Sequence, residues 1–241
     1  MDPMTSERPT RYSGDDSRPF LLERIVFFSD AVFAIAITLL ALDLRLPQSA
    51  SALTGGALDA AIAGLGPRVV AYGFSFAVIG LYWLAHWRRY SAIRAANERL
   101  AIINLILLGF IAVIPFPTSL LAEHGDRPVV VVIYALVISA AGVLGSASWL
   151  YAARSGLTVR GSQRWVRLVA LRGLAIPIVF IATLPLALVS PLATQAAWLL
   201  GFPLQALISR RLRRVERHEE GPGRAAVERG DLPARADPGW P

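Results

Sequence analysis

Arg24-Ile25-Val26-Phe27-Phe28-Ser29-Asp30-Ala31-Val32-Phe33-Ala34-Ile35-Ala36-Ile37-Thr38-Leu39-Leu40-Ala41-Leu42 is the stretch on which the reading of this chain turns. After Arg24, only Ser29, Asp30 and Thr38 interrupt its apolar run. A helix needs roughly 20 apolar residues to cross about 30 Å of hydrocarbon. This segment, taken as Ile25 to Leu44, has that length, and five more follow it. They run from about Pro67 to Trp87 (with an earlier start possible near Ala57), Leu100 to Leu121, Pro128 to Ala153, Val166 to Val189 and Leu192 to Ser209. In lipid the backbone must satisfy its own hydrogen bonds, so each is expected to be a helix. The short alternating segments of a membrane barrel are absent from the sequence.

Composition agrees. Of 241 residues, 55% are hydrophobic and only 17% charged, against about 25% charged in a soluble domain. All basic residues are arginine, and they gather between the apolar segments. The N-terminal tail holds Arg8, Arg11, Arg18 and Arg24. The link after the second span holds Arg88, Arg89, Arg94 and Arg99, and the link after the fourth holds Arg154, Arg160, Arg164 and Arg167, with Arg172 just beyond. Eight more follow the sixth span, whereas the opposite side has only Arg45, Arg68 and Arg127. Arginine-rich links stay cytosolic. The expectation is an all-α integral membrane protein of six transmembrane helices per subunit, both termini cytosolic, multi-pass in the cell (plasma) membrane. Residues 20–210 form the membrane domain. Residues 1–19 read as a disordered cytosolic tail without a cleavable signal, and 211–241 as a second, basic one.

The net charge of +7 is explained by these helix ends and does not argue for nucleic acid. The chain has no cysteine, so thiol chemistry and disulfides are excluded. His86, His124 and His218 are too dispersed to suggest a metal cage. No constellation of nucleophile, base or metal ligand is visible, so an enzyme is not expected and no cofactor is implied. Tyr82, Trp83, Trp87, Tyr90, Trp149, Tyr151 and Trp165 fall near span ends and read as interfacial anchors. Pro115, Pro117, Pro177, Pro185 and Pro203 read as helix ends or bends.

Two features of the first span suggest function. Asp30 is an acid within an apolar helix, which costs about 2.5–3.5 kcal/mol at the bilayer centre and less toward the interface. Helical phase places Phe28, Ala31, Ile35, Thr38 and Leu42 on one stripe, apolar but for one hydroxyl. Asp30, Phe33, Ile37, Leu40 and Leu44 fall opposite, so Asp30 points toward packing partners. His86, from the second span, is a candidate partner for Asp30 or a bystander, and Asn104 in the third span is a candidate interhelical hydrogen bonder.

Arg24-x-x-x-Phe28-Ser29-Asp30 resembles the RxxxFSD signature of the transmembrane protein 175 family, lysosomal potassium channels of animals and their bacterial relatives. Ala34 to Leu40 is similar to the family's first helix. So are Tyr82-Trp83 with His86, and Ile114-Pro115-Phe116-Pro117. The likeness covers roughly residues 20–121; from 128 to 210 it rests on hydropathy and topology. The resemblance implies a homotetramer whose first helices line a central pore with a hydrophobic constriction. Arg24, Phe28, Ser29, Asp30 and His86 would then form the signature and helix-packing network, and Ile35, Thr38 and Leu42 the pore lining. No re-entrant Thr-Val-Gly-Tyr-Gly carbonyl filter exists in the sequence.

The function expected is a potassium-permeable cation channel, with K+ as permeant ion and the lipid bilayer and further copies of the chain as partners. The alternatives are a secondary transporter or a proton-permeable pathway. A transporter would usually carry intramembrane charge for coupling and broken helices near the midplane, and the last three spans contain no acid.

Overall fold

The computed structural model describes residues 17–46, 54–159 and 162–211; of the expected tails at 1–19 and 211–241, residues 1–16 and 212–241 lie outside the described residues, while 17–19 and 211 are helical. The first span is α1 (Ser17–Ala41). The second is α2 (Gly56–Ala63) running into α3 (Gly66–Tyr90), and the third is α4 (Glu98–Val113) followed by α5 (Pro115–His124). Then come α6 (Pro128–Arg154), α7 (Gln163–Ala187), and α8 (Pro191–Trp198) with α9 over 201–211. Among the described residues there are six helical stretches long and apolar enough to cross a membrane, from Phe20–Ala41 to Pro191–Arg211.

Local chemistry sets these boundaries. The Asn97 side chain caps α4 by accepting from the Leu100 amide at 2.9 Å, and Ser162 and Ser190 cap α7 and α8 in the same way. Such caps satisfy amides that the helix itself cannot. Pro115 has no amide hydrogen to continue α4, and the third span breaks at Ile114. By contrast Pro177 and Pro185 sit inside α7 without ending it. Gly156 ends α6 at φ +68°, with Leu157 N donating to Ala152 O at 2.9 Å, the left-handed stop that glycine favours.

α6 packs against α4 and α7, α7 against α8, and α1 lies across α3, α4 and α5. The main core joins Phe33 and Leu40 of α1 to Ile79 of α3, Ile111 of α4, Ile138 of α6 and Phe180 of α7. Within it Phe74, Tyr134, Phe180 and Trp198 form a run of stacked rings, with Phe180 and Trp198 centroids 4.5 Å apart. A smaller core of Ile25, Tyr90, Ile93, Leu100 and Trp149 lies toward the arginine-rich links. There an antiparallel bridge between Ile93 and Thr158 ties the second–third link to the fourth–fifth link. At the other end, Arg68 Nη2 pairs with Glu123 at 3.0 Å while its Nη1 donates to Arg45 O at 3.1 Å.

The aromatic anchors divide. Trp83 and Trp87 are exposed, as an interfacial belt requires, but Tyr82, Tyr90 and Trp149 are buried. Tyr82 Oη donates to Ile138 O at 2.8 Å and Trp149 Nε1 to Val166 O at 3.0 Å. Tyr82 and Trp149 join helices to one another rather than to lipid, because a buried hydroxyl or indole N–H needs an acceptor.

Candidate functional site

α1 buries one face in the protomer and leaves much of the rest, including Phe27, Ala34 and Leu39, exposed. Ile25, Ser29, Phe33, Ala36 and Leu40, spaced by four, four, three and four residues, are buried. Phe28, Ala31, Ile35 and Thr38 are exposed along the opposite stripe, and so is Leu42. Ile35 is 57% exposed and Leu42 67%. Leu42 sits one residue past the helix end, in a turn where its amide donates to Leu39 O at 3.1 Å. Thr38 Oγ1 donates to Ile35 O at 2.8 Å. That bond uses the only hydroxyl proton and leaves the oxygen lone pairs free to accept or to face a cation.

The signature residues are held by two separate hydrogen-bonded links. In the first, Ser29 Oγ donates to Ile25 O at 2.6 Å and accepts from Asn104 Nδ2 at 3.0 Å. Asn104 Oδ1 in turn accepts from His86 Nε2 at 2.9 Å. All three side chains are buried, so α1, α3 and α4 are joined through a polar chain shielded from lipid. His86 is further fixed by rings on both sides, Tyr90 stacked at 4.2 Å and Phe33 at 5.6 Å between centroids. In the second link, Trp83 Nε1 donates to Asp30 Oδ1 at 2.8 Å. Asp30 is half-buried beside the packed face, which fits the phase expected of it.

The sequence-level expectations meet the structure unevenly. Ser29, Asp30 and His86 do gather at one end of α1, but His86 reaches the signature through Asn104 and Ser29, and the observed partner of Asp30 is Trp83. Asn104 is the centre of the buried chain. The signal for it was one carboxamide in an otherwise apolar helix. Phe28 is exposed and does not join the packed face. Arg24 lies inside α1, exposed, with its guanidinium 5.7 Å from the Phe20 ring centroid. Among the described residues no group of three or more His, Cys, Asp or Glu side chains could hold a metal ion.

Residues 24–115 match the family model described as endosomal/lysosomal potassium channel TMEM175. A Streptomyces collinus protein named as a potassium channel is 38% identical over 137 residues, which cover 55% of this chain and 65% of that one. Human TMEM175, named an endosomal/lysosomal proton channel, is 34% identical over 122 residues, 48% of this chain and 24% of that one. The alignments thus span 65% or less of these relatives' own length. A crystal structure described as a lysosomal potassium-selective channel TMEM175 homolog from Chamaesiphon minutus superposes with a TM-score of 0.66 at 29% identity. It covers 79% of this chain and 97% of that one.

Proposed function

We propose that the chain is a TMEM175-type channel, a potassium-permeable cation channel of the cell membrane, built as a homotetramer around the exposed face of α1. One observation carries the reading. The protomer buries one face of α1 and leaves the stripe Phe28, Ala31, Ile35, Thr38 and Leu42 uncovered. In a closed cyclic assembly one such stripe per subunit converges on the symmetry axis. Rings of Ile35 and Leu42 then form a hydrophobic constriction that gates by wetting and dewetting, and the Thr38 oxygens replace part of a cation's lost hydration. The Ser29–Asn104–His86 chain and the Asp30–Trp83 bond hold α1 at a fixed angle to α3 and α4, and do not touch the ion. The membrane domain is 20–210, with cytosolic tails at 1–19 and 211–241.

The name of the human relative favours a second reading, proton permeation along the same path. A transporter is disfavoured because the described parts of the last three spans carry no acid to couple an ion.

Purified full-length chain in a planar bilayer, recorded under bi-ionic potassium and sodium and then under a proton gradient, separates the readings. A reversal potential set by potassium supports the channel. One that follows the proton gradient alone replaces it with the second reading. Absence of passive current from correctly inserted oligomers refutes both.

A further inference from the structure

The C-terminal end of α3 and the facing parts of α6, α7 and α9 enclose a cavity of about 440 Å³, lined by Arg88, Arg89 and Arg172 among others. Arg89 is the residue that needs explaining, because only 7% of it is exposed. Its guanidinium lies against the backbones of Gly145 on α6 and Gly173 on α7. A Cβ at Gly145 would collide with Nη1, and one at Gly173 would come within 2.8 Å of Nη2. Two glycines thus make the space that this cation occupies.

Arginine stays protonated in proteins, so Arg89 is a buried positive charge. Among the described residues the ion pairs are Arg68–Glu123 and Asp126–Arg127, both at the opposite ends of the spans, and no carboxylate pairs with Arg89. The carbonyl end of α3 offers only a partial negative charge, about half a unit. Arg172 across the cavity and Arg88 at its rim add more positive charge. Arg89 thus has no carboxylate partner among the described residues, and the cavity has room for an anion.

We propose that this cavity binds an oxyanion of the phosphate class, seated on the Arg89 guanidinium, with Arg88 and Arg172 beside it. The planar fork of arginine matches two phosphate oxygens at once. The cavity lies at the arginine-rich end of the bundle, where positive charge marks the cytosolic leaflet. The same chemistry arrives from two sources, a phospholipid headgroup or free phosphate. Ala85 and Val169 in the wall, with exposed Trp87 beside them, suit a headgroup still attached to its acyl chains.

The test uses the full chain, delipidated in detergent. Native mass spectrometry reads retention of added phosphatidylglycerol against phosphatidylcholine, and a thermal melt reads stabilisation by inorganic phosphate. The wild type should prefer phosphatidylglycerol, and Arg89→Gln should weaken that preference about tenfold, as loss of charge-assisted hydrogen bonds predicts. Arg88→Gln, an exposed rim change, should weaken it less but measurably. Preference for phosphatidylglycerol without a phosphate-induced melting shift identifies the headgroup as ligand. A phosphate shift abolished by Arg89→Gln, without lipid preference, identifies the free anion; either result supports the site. Equal retention of both lipids with no phosphate shift overturns it. If Arg89→Gln does not yield folded protein, Arg88→Gln decides, and unchanged binding in it overturns the proposal.

Discussion

Replacing Asn104 with leucine removes the centre of the buried polar chain while keeping the branched shape of the side chain. Two interhelical hydrogen bonds are lost, from His86 Nε2 to Oδ1 and from Nδ2 to Ser29 Oγ. In membranes such bonds average about 0.6 kcal/mol each. The two ends then fare differently. Ser29 keeps its bond to Ile25 O, so nothing there is stranded. The His86 N–H, only 3% exposed as a residue and enclosed by Phe33 and Tyr90, loses its acceptor, at about 1–2 kcal/mol. Asn104→Leu should therefore cost about 2–3 kcal/mol and lower the melting temperature by roughly 5–10 °C. Size-exclusion of detergent-solubilised protein after heating reads the shift. In the Asn104→Leu, His86→Phe double variant no donor is stranded, so about 1–2 kcal/mol of the loss should return. A single variant within about 0.5 kcal/mol of wild type, or strictly additive losses, would refute the assignment of Asn104 as the junction of α1, α3 and α4.

Asp30→Ala and Trp83→Phe each remove the 2.8 Å bond between α1 and α3; both should reduce oligomer yield while the potassium-to-sodium permeability ratio of what assembles stays unchanged, and a full yield with altered selectivity would contradict this. A Cβ at Gly142 would press into the Pro177 ring and lie 2.9 Å from Tyr82 Oη, whereas Gly109 faces open space. Gly142→Val should accordingly lower stability by about 1–3 kcal/mol while Gly109→Ala is near neutral, measured by thermal melts of the two proteins. Ile35→Asn should wet the tightest apolar ring and raise cation current with weaker selectivity. Thr38→Ala should lower potassium preference without abolishing current, and bilayer recordings showing neither change would remove α1 from the conduction path.

The six spans were legible because lipid makes the requirement simple: about 20 apolar residues, flanked by arginine on one side. Every segment read from hydropathy has a helical counterpart within a few residues. The packed side of α1 was legible in part: helical phase placed Phe33 and Leu40 there, and both are buried. The later helices are apolar all round, so periodicity says little about which side is packed. For the same reason Tyr82, Tyr90 and Trp149 read as lipid anchors although they are buried. An aromatic near a span end has the same signature whether it faces headgroups or a neighbouring helix. The break at Ile114 was hidden inside a continuous hydropathic run, and only Pro115 marked it. Arg89 was counted with the other arginines as a topology signal, since nothing in its sequence neighbourhood reports that Gly145 and Gly173, more than 50 residues away, open a space for its side chain.

The proposed pore places the uncovered face of α1 on the ion path. Because the chain has no cysteine, single cysteines can be placed along α1 without background. Phe28→Cys, Ile35→Cys, Thr38→Cys and Leu42→Cys would be compared with Phe33→Cys, Ala36→Cys and Leu40→Cys, each recorded in a planar bilayer before and after a charged, water-soluble thiol reagent. The reagent should change current through the first four and leave the last three unaffected, as their side chains are buried against the protomer's own helices. Modification of current at Phe33, Ala36 or Leu40, with none along the exposed stripe, would contradict it.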